Sequence, residues 1–148
     1  MSGQLDVLAE IETPSGWLSL EDPAGGYELH KDAFASRSTS SRKLEIESDW
    51  VEGSYTARAV RGNVTETLAV WIEGPTPYVR EARTDAVIAG LEQLQYRFRL
   101  THGNHRETWT CFYTDYQIES SQELRFSNLV VLRASIPRLP SIIRELVP

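Results

Sequence analysis

Residues 60–94, VRGNVTETLAVWIEGPTPYVREARTDAVIAGLEQL, read as a strand, a sharp break and then a helix. Leu68, Ala69, Val70, Trp71 and Ile72 are apolar on both faces, the pattern of a strand covered on both sides. Gly74-Pro75-Thr76-Pro77 ends it. Thr76 is a helix cap through its hydroxyl, and Pro77 suits the first helical position. Over residues 76–95 the apolar positions Val79, Ala82, Ala86, Val87, Gly90, Leu91 and Leu94 recur at spacings of three and four. They predict the helix face that covers the strand, with Ile88 pointing away. Its small residues predict a close approach to a sheet.

Upstream, Leu5, Val7, Ala9 and Ile11 alternate with polar residues, which is strand periodicity. TPSGW breaks that strand, and Trp17, Leu18 and Leu20 begin a second. EDPAGG is a turn cluster, and residues 27–30 are a candidate third strand. The Ser-rich run 35–42 is expected to be an exposed loop. In KLEIESDW, Leu44, Ile46 and Trp50 alternate with Glu45, Glu47 and Asp49, so one face looks to a core. SYTARAV and NVTETLAVWI are expected as two strands, separated at Arg61-Gly62-Asn63.

Downstream of the helix, YRFRL alternates aromatic and Arg residues, and Gly103-Asn104 is a hairpin signal. TWTCFYTDY and SNLVVLRASI are two further strands. The last segment carries Pro137, Pro140 and Pro148, which resist sheet pairing. The expectation is one mostly-β domain over 1–136, an antiparallel sandwich or barrel flanked by one helix, followed by a Pro-containing arm over 137–148. The arm's apolar side chains suit a partner surface, making Pro137, Arg138, Leu139, Pro140, Ile142, Ile143, Leu146 and Val147 candidate interface residues.

A chain of 148 residues with 41% hydrophobic and 24% charged residues has the means for one core. Its net charge of -6 argues against tight nucleic-acid binding, which rests on cations neutralising phosphates. Cys111 is the sole cysteine, so no internal disulfide forms. The first residues have neither the basic start nor the apolar core of a signal peptide, and no run approaches the ~20 apolar residues of a membrane span.

No constellation demands catalysis. His102 and His105 flank a turn and, with Glu107 or Asp115, are a sparse metal set beside the ligand number zinc needs. His30 stands alone. Cys111 sits mid-strand without the helix start or cationic neighbours that activate a thiol, and reads as core. The carboxylates of KLEIESDW read as a solvated strand face rather than a glycosidase pair. No phosphate-binding glycine loop or nucleophile elbow is present. These residues predict no enzyme, no metal and no cofactor. Trp71 and Trp109 are expected in the core, whereas Trp17 and Trp50 lie nearer strand ends and suit stacking on sugar. A carbohydrate-binding β-sandwich is therefore the alternative reading.

Across residues 53–140 the chain resembles minor tail proteins of long-tailed bacteriophages. Gly62, Leu68, Val70, Gly74, Leu91 and Leu94 match the outline of strand, strand and helix. Trp109-Thr110-Cys111, Thr114-Asp115 and Pro137-Arg138-Leu139-Pro140 match its ending. The resemblance implies a β-sandwich of tail-tube or distal-tail type with one helix. It further implies rings, usually hexamers, of identical subunits around a DNA channel, with neighbouring tail proteins as partners and no active-site residues. DNA would pass the lumen without specific binding, and no membrane is involved. Such a protein is assembled in the host cytoplasm and resides in the virion tail.

Overall fold

The computed structural model describes residues 7–48, 51–119 and 128–147, with side chains described outside 40–61. Among these residues nine strands and one α-helix follow in order, with a short 3-10 turn at Pro23–Gly25: β1 (Val7–Thr13), β2 (Gly16–Ser19), β3 (Tyr27–Leu29), β4 (Arg37–Ser48), β5 (Val51–Glu73), α1 (Pro77–Leu91), β6 (Gln95–His102), β7 (His105–Phe112), β8 (Tyr116–Glu119) and β9 (Leu129–Leu146). A single antiparallel sheet joins them in the order β2-β1-β6-β7-β9-β5-β3, with β4 on β5 and β8 on β9. It curls into a nearly closed barrel, so the expected mostly-β fold with one helix holds.

Alternation places the core. Ile11, Phe98 and Trp109 lie in register across β1, β6 and β7, and all are buried. Leu68, Val70 and Ile72 of β5 face the same interior as Leu132 and Ile136 of β9. Phe98 and Trp109 stack with ring centroids 5.5 Å apart, and Phe34 meets both edge-on.

The helix begins as read: the Thr76 hydroxyl accepts the Val79 N–H at 3.2 Å, and Pro77 occupies the first turn. It stops at Leu91, with Glu92 as its C-cap, so Leu94 falls beyond it and is exposed. The buried face is Arg80, Thr84, Val87, Gly90 and Leu91, rotated away from the expected Ala82, which is exposed. Ile88 packs at the core margin rather than pointing out. Gly90 sets the approach, because a Cβ there would lie 3.1 Å from the Cδ1 of Ile11. The helix thus closes the barrel end near Ile11 and does not cover the outer face of β5. On that face the His30 ring meets Trp71 at 5.1 Å, while the His30 N–H donates alongside the strand to the Ala69 carbonyl.

Three expectations give way. The Ser-rich run is strand from Arg37 onward, with Arg37, Ser38 and Thr39 paired to Glu66, Thr65 and Val64. Arg37, Ser38 and Thr39 are exposed, and polar residues suit such an edge strand. SYTARAV and NVTETLAVWI form one strand, β5. Between the pairs Thr39↔Val64 and Ser41↔Arg61 the β5 side has one residue more, so Gly62-Asn63 is a bulge rather than a turn.

The third concerns the expected arm from 137 onward, which is the outer half of β9. Arg138 to Leu146 pair with β7, and the Val147 N–H donates to the Asn104 carbonyl. The prolines are accommodated where pairing lapses. Pro140 lies in the bulge between the pairs Cys111↔Arg138 and Trp109↔Ile142, and Pro137 falls between the ladders to β8 and β7, with a partner on one side.

Candidate functional site

The chemistry-bearing side chains are scattered rather than gathered. His102 and His105 pair directly across the Gly103-Asn104 turn, where Gly103 has φ +59, and both are exposed. Glu107 turns to Arg144 at 3.4 Å, and Asp115 lies beyond the opposite end of β7. Among the described residues no three His, Cys, Asp or Glu side chains come together as a metal-binding group. Cys111 is fully buried, and burial pushes its thiol up to about 12, so it is a protonated core residue at neutral pH. Trp17 is half-buried, and the Arg99 guanidinium lies over its ring at 4.0 Å while pairing with Glu10. Trp109 is buried, Trp71 is half-covered by His30, and Trp50 lies outside the described residues.

A charged cluster sits where β5 leaves the barrel, at the end away from the helix. Glu66 and Arg138 are 1% and 2% exposed. One carboxylate oxygen of Glu66 accepts from Arg138 at 3.0 Å and from Arg37 of β4. The Arg138 guanidinium lies over the Trp109 ring, 5.0 Å from its centre, and also donates to the Leu139 carbonyl. Two buried charges in this position are tolerable only as a pair with satisfied hydrogen bonds. The cluster joins four strands at one point: β4, β5, β7 and β9.

From that point a β4–β5 hairpin continues outward. Residues 41–48 pair with 51–61, whereas the β5–β9 ladder ends at Val64↔Arg138. At about 3.3 Å per residue, the part of β5 before Val64 is roughly 40 Å long. Among the described strands, its only ladder partner is β4, and β4 has no partner but β5. Among the described residues, both long edges of the ribbon are therefore unpaired. The face that the sequence assigns to Leu44 and Ile46 lies among side chains outside those described.

The candidate interface residues divide. Arg138 is buried in the ion cluster, Ile142 packs against the core, and Pro137, Pro140 and Val147 are half-buried. Leu139, Ile143 and Leu146 remain exposed, the last two at 66% and 70%. Sequence reasoning missed the Glu66–Arg138 pair, because the two residues are 72 positions apart. A polar residue among inward-facing neighbours, Val64, Leu68 and Val70, was its one available signal.

No protein-family model matches this chain, and a search of curated proteins finds no significant relative. Among the described residues no helix is long and apolar enough to cross a membrane.

Proposed function

We propose that this chain is a structural subunit of a bacteriophage tail, in the tube or the distal region, that assembles with copies of itself into a ring around the DNA channel. The observation that carries the reading is the long β4–β5 hairpin. A two-stranded ribbon is marginal on its own in water, and two unpaired edges are templates for further strands. A subunit with such an arm is incomplete alone and is completed by a neighbour. The exposed Leu139, Ile143 and Leu146 on the outer half of β9 add apolar surface at the same end of the barrel. The net charge of -6 suits a lumen past which phosphates slide without sticking. Neighbouring tail proteins are the further partners, and the virion tail is the location.

Electron cryomicroscopy of the concentrated protein tests this reading. The expected particles are closed rings with an open lumen and with the hairpin at the contact between copies. Single subunits at every concentration, or rings whose contacts leave the hairpin untouched, would overturn it.

A further inference from the structure

A groove of about 780 Å3 crosses the outer face of the β5–β9 ladder. Its floor consists of short side chains, Thr65 and Thr67 on β5 and Ser135 on β9, which face outward in register. One wall is the segment carrying Asp32, and the other carries Tyr113 and Tyr116. These two tyrosines are 49% and 38% exposed. Arg133 rises from the floor between the walls and is held from both sides, by Asp32 at 3.2 Å and by Glu119 at 2.6 Å.

We propose that this groove binds a neutral oligosaccharide, independently of the assembly reading. Its volume lies in the range of small-ligand sites, and it opens to solvent. Exposed tyrosine rings offer an apolar face to sugar C–H groups and a hydroxyl to sugar hydroxyls. Asp32 and Arg133 fix each other in place, so their remaining hydrogen-bonding capacity is presented without further ordering cost. The Thr67 hydroxyl is held by the Ser36 backbone, but those of Thr65 and Ser135 keep the floor polar, and it offers an apolar ligand little. The carboxylates of Asp32, Asp115 and Glu119 outnumber the single cation Arg133, which disfavours phosphates, nucleic acids and acidic sugars.

The test is calorimetric titration of the full chain with cellohexaose, maltohexaose and chitohexaose, and with a polygalacturonate oligomer as the anionic control. At least one neutral probe is expected to bind saturably, and the control not at all. Tyr116→Ala should weaken binding about tenfold. Ser135→Trp, which fills the floor at an exposed position, should abolish it while leaving the melting temperature and any ring assembly unchanged. No binding of the three neutral probes, undiminished binding by the filled variant, or preference for the anionic control would overturn the proposal.

Discussion

At the helix end of the barrel, Gly90 brings α1 onto Ile11, and Val87 and Leu91 complete an apolar seal. At the hairpin end the interior is closed by Glu66, Arg138 and Arg37 beneath Trp109. Apolar packing is non-directional and tolerates modest rearrangement. A buried ion cluster does not, because each charge depends on a partner in one geometry. The contrast suggests why charges sit where they do. The hairpin end must hold a long ribbon at a defined angle, and a directional cluster tying β4, β5, β7 and β9 specifies it better than interchangeable methyl groups.

The largest expected effect breaks the charged end. Glu66→Ala strands Arg138 in the interior, and equilibrium unfolding in denaturant should show a loss of about 3–5 kcal/mol. Replacing both partners, Glu66→Leu with Arg138→Met, should recover most of it while loosening the hairpin root. A loss below about 1 kcal/mol in the single variant would mean that the cluster is not a dependent pair.

Next comes the apolar end. Gly90→Leu drives a side chain into Ile11 and Thr13, and overpacking of this kind costs about 1–3 kcal/mol. A thermal melt reads it directly. An unchanged midpoint would show that α1 is free to back away and that the seal is looser than the 3.1 Å approach implies.

The smallest effect lies on the outer face, beside the helix end. The Arg97 side chain, hydrogen-bonded to Glu12, holds that carboxyl below its usual value. A folded-state value lowered in this way gives stability that is present above the unfolded-state value and is lost as pH falls through the folded one. The pair is partly exposed, so the contribution is at most about 1 kcal/mol. The stability difference between the native chain and Glu12→Gln should therefore fade in acid and return at neutral pH. A difference that persisted undiminished at low pH would assign it to packing.

What the sequence revealed and what it hid follows the range of the interactions. Thr76-Pro77 and Gly103-Asn104 act within four residues, and both the helix start and the hairpin fell where they pointed. The alternation of Tyr96 and Phe98 with Arg97 and Arg99 likewise sorted interior from exterior. The helix face was read in part: Val87, Gly90 and Leu91 are buried as expected, but the polar Arg80 and Thr84 share that face while Ala82, small enough to lie in water, is exposed. Gly62 looked like a turn because a bulge and a turn use the same residue, and only the partner strand distinguishes them. Pro137 and Pro140 looked like breakers for the same reason. The groove draws on residues 32–36, 65–69, 113–117 and 133–137, which no local pattern connects.

Hydrogen exchange along residues 41–61, followed by mass spectrometry in dilute and in assembled protein, tests most directly whether the hairpin is completed by a neighbouring copy. The ribbon amides should exchange rapidly in the dilute chain, far faster than those of β6 and β9, and become protected on assembly. Ribbon amides as protected in the dilute chain as those of the barrel, or unchanged by assembly, would contradict it.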